Sequence, residues 1–278
     1  MHRVQQAIKW TVYTLLLVNF GFYIVEDWNR AIHSLDAGAT LFQWTTEFAT
    51  SIDELGWFLL LAMFELETYV LEDEQWTRWS TALIRGIRLA CFVMIGHTVV
   101  AYGAAAFQIQ SAPEVSGVDN LCELADGETS FVYNLGYTTI DETNCESLSG
   151  ASQFYWVTEG TVVTDPAGLK LEQALYWVDV VEAVAWLIIV LAIEAIVRLQ
   201  DRGIGSGRTI RLLNGTQLVL YLLLVGFAIW WATLSHWLYF WDELLWIGGF
   251  AAIEMNLSEW RDELKGSEDA PTTGSASP

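Results

Sequence analysis

The sequence predicts an all-α polytopic membrane protein: six transmembrane helices form three pseudo-repeated hairpins, with a small extracytoplasmic insertion between helices three and four. Of the 278 residues, 53% are hydrophobic and 17% are charged. Such a chain is too apolar to be disordered and too charged to lie wholly inside a bilayer. Three further observations support this fold class: long stretches without ionised residues, an uneven distribution of basic residues, and a recurring acid–Trp–Glu spacing.

Three stretches without an ionised residue are the clearest predicted spans. They cover residues 10–25, 89–113 and 212–241. The hydrocarbon core of a bilayer is about 30 Å thick and needs roughly 20 helical residues, a length that the second and third stretches exceed. The first is shorter, but the long side chain of Lys9 can reach the interface from its cytoplasmic end. We predict these stretches as helices one, three and five.

Acidic residues interrupt the three other predicted spans. These spans cover residues 53–72, 176–198 and 242–260. A carboxylate inside a span is costly when it faces lipid, but it is tolerated when it faces other helices or water. We therefore predict these segments as helices two, four and six.

Basic residues support the six-span topology because short cytoplasmic segments of membrane proteins are enriched in Lys and Arg. With both termini in the cytoplasm, only Arg30 and Lys170 lie outside. The sequence therefore predicts a multi-pass protein of the plasma (inner) membrane with cytoplasmic N- and C-termini. The basic residues at the cytoplasmic face are Arg3, Lys9, Arg78, Arg85, Arg88, Arg198, Arg202, Arg208, Arg211, Arg261 and Lys265.

The predicted chain has four parts. Residues 1–107 hold helices one to three, with an amphipathic helix near 36–52 at the outer interface, where apolar residues recur at steps of three and four. Residues 108–173 form an extracytoplasmic domain that is strongly acidic. Residues 174–262 hold helices four to six. The tail, 263–278, contains too little apolar surface to fold and is predicted to be a disordered cytoplasmic segment.

The two cysteines of the extracytoplasmic domain predict a disulfide bond. Cys122 and Cys145 are the only cysteines in residues 108–173, and the predicted compartment is oxidising. A zinc site needs more ligands than two cysteines supply, and this domain contains no histidine. We therefore predict no metal site there. Cys91 lies inside the third predicted helix and is expected to be a buried free thiol.

A recurring spacing relates helices two, four and six. An acid is followed after four residues by Trp, and eight residues later by Glu. All three helices run from outside to inside, so equal spacing places matching residues at matching depths. The step from outer acid to inner Glu is about 18 Å along a helix. The three sets are Asp53, Trp57 and Glu65; Glu182, Trp186 and Glu194; and Asp242, Trp246 and Glu254.

Two hypotheses explain the inner carboxylates Glu65, Glu194 and Glu254. In the first, they converge on a cation or proton site, and the outer acids Asp53, Glu182 and Asp242 form its mouth. In the second, they pair with the bases that begin the odd helices, because an unpaired carboxylate at this depth costs several kcal/mol. These possible counter-ions are Lys9, Arg88 and Arg211.

The two hypotheses imply different functions. Converging carboxylates indicate a cation or proton channel or transporter. Paired carboxylates indicate a non-catalytic accessory or assembly subunit of a membrane complex, which presents its acidic extracytoplasmic domain to a partner. The expected partners are membrane lipids, inorganic cations or protons, and a partner membrane protein or a second copy of the chain.

Composition and motifs argue against other function classes. The net charge of −21 makes nucleic-acid binding electrostatically unfavourable. The chain contains no H-E-x-x-H zinc motif, no G-x-S-x-G nucleophile elbow and no P-loop, so we do not expect an enzyme. His97 lies near the middle of the third predicted helix, whereas His33 and His236 lie near the outer face. No histidine pair shares the depth that a membrane haem requires, and no cofactor is predicted.

Overall fold

The computed structural model of the chain describes residues 2–36, 38–66, 77–125 and 127–250, except for the side chains of 2–9, 64–65 and 201. Helices dominate these residues, and the last of them, α8, runs from 237 to 250. The other helices are α1 (His2–Ser34), α2 (Leu41–Glu47), α3 (Ala49–Glu65), α4 (Arg78–Ile109), α5 (Cys145–Leu148), α6 (Pro166–Asp201) and α7 (Arg208–Thr233), with a 3-10 helix at Leu121–Leu124. The strands are β1 (Ser130–Tyr133), β2 (Gly136–Thr139), β3 (Tyr155–Thr158) and β4 (Val162–Thr164).

Three helices in the described ranges are long and apolar enough to cross a membrane: Arg78–Ile109, Pro166–Gln200 and Arg208–Thr233. The prediction of six transmembrane helices is therefore wrong, and the three pseudo-repeated hairpins built on it are wrong as well. The three helices are α4, α6 and α7, which correspond to the predicted spans three, four and five.

Acidic residues and length explain the overestimate. The predicted second span corresponds to α3, which is described over 17 residues and carries Asp53 and Glu54 near its start. The predicted first span lies in α1, which continues past its apolar stretch into Asp27 and Arg30. The predicted sixth span, 242–260, lies partly outside the described residues. Tolerance for carboxylates was assumed for every even helix, and among the described parts of these helices only α6 has the apolar length to match it.

A mixed four-stranded sheet shows that the all-α prediction is also wrong. The strand order is β2-β1-β4-β3, with β1 parallel to β4 and the other pairs antiparallel. Aromatic and β-branched residues fill these strands, as in Phe131–Val132 and Val162–Val163, and such residues favour a pleated, half-buried surface. These short apolar runs lie among the acids of the domain and were not predicted to be strands.

The predicted disulfide is confirmed. Cys122 and Cys145 are joined, with their Cα atoms 4.8 Å apart, and the bond links the 3-10 helix to α5. Cys145 lies in the core of the sheet domain beside Leu121, Ile140 and Phe154. Cys91 is buried and free.

The β1–β2 hairpin fastens the sheet to α6. Its two-residue turn places Asn134 and Leu135 at φ 54° and 60°, the left-handed geometry of a type I′ turn. The backbone N–H of Leu135 donates to Glu172 Oε1 at 3.1 Å. On the other side, Ser130 Oγ lies 2.8 Å from Nδ1 of His33 on α1. The sheet therefore contacts both α1 and α6 through specific polar contacts.

Helices α3, α4 and α6 pack side by side. Gly56 on α3 approaches α4 so closely that an added Cβ would lie 3.2 Å from Ile95 Cγ1. At the sheet end of α4, the Phe107 ring meets the Trp177 ring of α6 edge to face, with centroids 5.3 Å apart. Gln173 Nε2 also donates to the carbonyl of Ile109 at 3.1 Å. The start of α6 therefore lies beside the end of α4.

The chain divides into two compact units, Val18–Leu222 and Met1–Leu17 with Leu223–Pro278. In the second unit, α7 ends in a Schellman motif with Ser235 at φ 69°. His236 N donates to Trp231 O at 3.0 Å, and Ser235 N to Ala232 O at 3.1 Å. The Trp231 ring packs edge-on against His236 and Tyr239. All the site contacts below lie within Val18–Leu222.

Candidate functional site

Ionisable side chains from four elements meet where the helices contact the sheet. They come from the end of α1, the end of α2, strand β2 and the first turns of α6, next to the start of α3. We call this group the Arg30 cluster. Its members are Asp27, Arg30, Glu47, Tyr137, Glu172, Tyr176 and Asp179.

The ion pair between Asp27 and Arg30 lies at the centre of the Arg30 cluster. Arg30 Nη2 lies 3.4 Å from Asp27 Oδ1, one helical turn away on α1. The other carboxylate oxygen, Oδ2, accepts from the backbone N–H of Ser51 at 2.8 Å and from its hydroxyl at 2.7 Å. Asp27 is fully buried, and these bonds tie α1 to the start of α3.

Arg30 faces more carboxylates than one base can neutralise. Its positive charge acts on Glu47, Glu172 and Asp179 as well as on Asp27. The Asp27 and Glu172 side chains are buried, and the other two are half-buried. The charge of one guanidinium therefore acts on four carboxyl groups, and the Arg30 side chain is only 20% exposed.

Burial favours the protonated form of the carboxyls that lie outside the spanning helices. It raises the pKa of Asp27, against the opposing effects of Arg30 and the Ser51 hydrogen bonds. Burial also raises the pKa of Glu47, although Arg30 opposes this too. The Arg30 cluster therefore contains acids that exchange protons at higher pH than ordinary carboxyls.

Two tyrosines and a histidine border these acids. The hydroxyls of Tyr137 and Tyr176 are hydrogen-bonded to each other, and burial raises the pKa of Tyr137 above its ordinary value. The His33 ring stacks on Tyr137, with centroids 5.6 Å apart and planes 9° apart, and burial lowers the pKa of His33. A neutral phenol both donates and accepts a hydrogen bond, so it can relay a proton between neighbours.

The mouth predicted from the outer acids Asp53, Glu182 and Asp242 stays a prediction, and each acid is described here by itself. Asp53 Oδ2 accepts from Nε1 of Trp57 at 3.0 Å, so the acid–Trp step of the repeat is a hydrogen bond within one helix. The Trp57 ring meets that of Trp186 edge to face at 6.1 Å. Glu182 on α6 is half-buried, and Asp242 is buried on α8 in the other unit. The repeated tryptophans of α3 and α6 therefore contact each other.

Of the inner triad, only Glu194 has a described side chain. It forms an ion pair with Arg198 at 2.8 Å, and the Glu194 side chain is 47% exposed. The side chains of Glu65 and Lys9 and the whole of Glu254 lie outside the described residues. Arg88 is half-buried, and Arg211 is exposed. Convergence of the triad and its pairing with Lys9, Arg88 and Arg211 both stay predictions.

The Arg30 cluster was not predicted from the sequence, although the sequence contains one indication of it. Arg30 and Lys170 are the two bases that the topology argument placed outside, beside an acidic domain. A lone arginine that follows Asp27 by three residues is a candidate for a buried ion pair, because such pairs form between neighbouring helical turns. The contributions of Glu47, Glu172 and Asp179 come from distant parts of the chain and had no local signal.

Within the described part of the chain, no group of three or more His, Cys, Asp or Glu side chains is arranged to hold a metal ion. No family model matches the chain, and neither a curated protein nor a solved structure matches it. The features that bear on function are therefore the Arg30 cluster and the three apolar helices.

Proposed function

We propose that the protein is a multi-pass membrane protein that moves protons, with the Arg30 cluster as its proton-exchanging site. The observation that carries this proposal is that the charge of one guanidinium acts on four carboxyl groups, beside the end of α4 and the start of α6. Four ionised carboxylates in a largely buried site would repel one another strongly, so the site holds protons. A site that gains and loses protons inside a helical bundle is what proton exchange requires.

Polar contacts extend the proposed site from α6 towards α3 and α4. The Tyr102 hydroxyl of α4 lies 3.0 Å from Thr50 Oγ1 of α3. The charges of Asp179 and Asp53 both act on Tyr102. From Asp179, about 22 Å of helix leads along α6 to Glu194, at the helical rise of 1.5 Å per residue. The predicted triad Glu65, Glu194 and Glu254 stays our hypothesis for the cytoplasmic end of the path.

The basic residues at the helix ends support a particular orientation of the protein in the membrane. Lys and Arg are enriched at the cytoplasmic ends of spans. The start of α4 and the end of α6 share one side of the proposed membrane with the start of α7, and all three are basic. The sheet domain would therefore lie outside the plasma (inner) membrane. The basic residues at these ends are Arg78, Arg85, Arg88, Arg198, Arg202, Arg208 and Arg211.

Single cysteines test this orientation. Glu159→Cys lies in the exposed turn between β3 and β4, and Ser206→Cys lies in the exposed loop between α6 and α7. In intact cells, an impermeant maleimide should label the cysteine at 159 and leave the one at 206 unlabelled until the membrane is opened. Labelling at 206 alone from outside would reverse the proposed topology, and labelling at both sites would exclude spanning by α6.

Substitution of Asp179 tests the function. The Asp179→Asn variant in proteoliposomes should lower the rate of proton flux about a hundredfold, the range in which a positioned proton-transfer group contributes. Its melting temperature should stay close to that of the parent, because the change removes one of four mutually repelling carboxyls. Flux is measured with an enclosed pH-sensitive dye under an imposed potential.

Glu159→Gln is the matched control for this flux assay, since Glu159 is exposed on the sheet domain and is not a member of the Arg30 cluster. It should leave both flux and melting temperature unchanged. A parent protein that moves no protons would contradict the proposed function. Equal flux in the parent and Asp179→Asn would instead remove the Arg30 cluster from the path.

A second candidate function is that of a non-catalytic accessory or assembly subunit. One observation favours it: Glu194 pairs with Arg198 at the helix surface, instead of facing an interior site. The sheet domain, which contacts α1 and α6 through specific polar contacts, would then present its acidic surface to a partner membrane protein. Absence of flux, together with co-purification of a partner that dissociates when the exposed acids of the sheet domain are replaced by amides, would support this function.

A further inference from the structure

Helix α2 has an exposed apolar surface that nothing in the rest of the chain covers in the described structure. None of its seven residues is buried. Leu41 is 80% exposed, Phe42 51% and Trp44 41%. Large exposed apolar groups that lie together usually mark a site of interaction with protein or membrane.

The contacts of α2 with α4 place this surface well inside a candidate span. The Phe42 ring meets the His97 ring edge to face, with centroids 6.0 Å apart. Nε2 of His97 lies 3.2 Å from the carbonyl oxygen of Thr45. His97 precedes Ile109, the last residue of α4, by twelve residues, which corresponds to about 18 Å of helix. Helix α2 therefore lies beside the middle of a helix that is long and apolar enough to cross a bilayer.

The apolar surface of α2 continues onto α4. Val93 and Val100 lie four residues before and three residues after His97, so all three share one face of the helix. Val93 is 63% exposed and Val100 is 60% exposed. Where α4 crosses a membrane, these valines face acyl chains, and α2 packs against the same face. The same environment therefore covers both surfaces.

The backbone of α2 is suited to such an environment. Apolar surroundings require that backbone polar groups find partners within the protein. The capping box supplies them at the start of the helix: Thr40 N donates to Gln43 Oε1 at 2.8 Å, and Gln43 N donates to Thr40 Oγ1 at 3.3 Å. In the preceding loop, Gly38 N donates to Asp36 Oδ1 at 2.8 Å.

We propose that α2 inserts Leu41, Phe42 and Trp44 among the acyl chains of the leaflet on the sheet side. The inference rests on the proposed membrane placement of α4. Helix α2 ends at Glu47, a member of the Arg30 cluster, so one short helix contacts lipid through its aromatic and aliphatic side chains and contributes a carboxyl group to the buried site. Lipid contact then borders the proton-exchanging site directly.

Spin labels at three positions test this inference in full-length protein that carries Cys91→Ala and is reconstituted in phosphatidylcholine–phosphatidylglycerol liposomes. The labels are placed through Leu41→Cys on α2, Val93→Cys on α4 and Glu159→Cys on the sheet domain. Oxygen partitions into acyl chains, whereas a nickel chelate stays in water. The labels at 41 and 93 should collide severalfold more often with oxygen than with the chelate, and the label at 159 should show the reverse.

The label at 93 separates failure of the inference from failure of the proposed function. If the label at 93 favours oxygen and the label at 41 favours the chelate, α2 lies in water and the inference is wrong. Protection of the label at 41 from both reagents means that protein covers α2, which also overturns it. If the label at 93 favours the chelate, α4 is outside the bilayer, and the membrane placement behind the proposed function fails as well.

Discussion

Replacing Arg30 by Gln should destabilise the protein by about 3 kcal/mol at neutral pH, because removal of one partner from a largely buried ion pair leaves an uncompensated charge. Here the change leaves four carboxyl groups without their shared guanidinium. For a chain of this size, such a loss lowers the melting temperature by roughly 6–12 °C. The change in melting temperature is measured on detergent-purified protein, with thermal unfolding monitored as the loss of the monodisperse peak in size-exclusion chromatography.

The destabilisation of Arg30→Gln should depend on pH with a definite sign. Burial raises the pKa of Asp27 and Glu47 above the ordinary values near 4, so the folded state binds more protons than the unfolded state once pH exceeds about 4. Stability from these groups is therefore full below that pH and falls as pH rises through their folded pKa values. The charge of Arg30 lowers the pKa of both carboxyls and so opposes the effect of burial. Loss of Arg30 should therefore raise both folded-state pKa values further and widen the pH range over which stability falls. The deficit should be small near pH 4 and large at pH 7.5.

Arg198→Gln is the matched control for Arg30→Gln. It removes an arginine from the ion pair with Glu194, in which both side chains are largely exposed, and exposed pairs contribute about 0–1 kcal/mol. Its melting temperature should change little at either pH. Equal effects of the two substitutions, or an Arg30→Gln deficit that does not vary with pH, would show that Arg30 does not compensate buried carboxylates.

The second large effect is expected from removal of the disulfide. The double variant Cys122→Ser with Cys145→Ser should lower the stability of the sheet domain by about 3 kcal/mol, the chain-entropy estimate for a closed loop of this length. The residues are separated by 23 positions, and the loop between them contains β1 and β2. The lower stability is measured as faster cleavage of the double variant than of the parent by an added protease within residues 110–165.

Reductant and Cys91→Ala complete this experiment. Cys91 is buried and free, so Cys91→Ala retains the disulfide and should keep parental protease resistance in the sheet domain. Dithiothreitol should accelerate cleavage of the parent and of Cys91→Ala but should not change the double variant further. A parent whose cleavage is unaffected by complete reduction would show that the disulfide does not stabilise the domain.

The sequence was informative where the deciding property is local. The charge-free stretch 89–113 overlaps most of α4, and 212–241 includes most of α7, because apolar length is a property of consecutive residues. The disulfide followed from two cysteines isolated in one acidic segment. The rings of Trp57 and Trp186 contact each other, but the spacing of residues within each helix does not determine this contact, and the predicted repeat is not supported.

The failures arose where the outcome depends on contacts between distant segments. Sequence alone determined that the chain has long apolar helices, a disulfide-bonded acidic segment and basic helix ends. Only the tertiary structure decided that four short strands pair into a sheet and that the charge of Arg30 acts on Asp27, Glu47, Glu172 and Asp179. The physical reason is that hydropathy adds up along consecutive residues, whereas burial of a carboxylate and its compensation depend on residues that approach only in the folded chain.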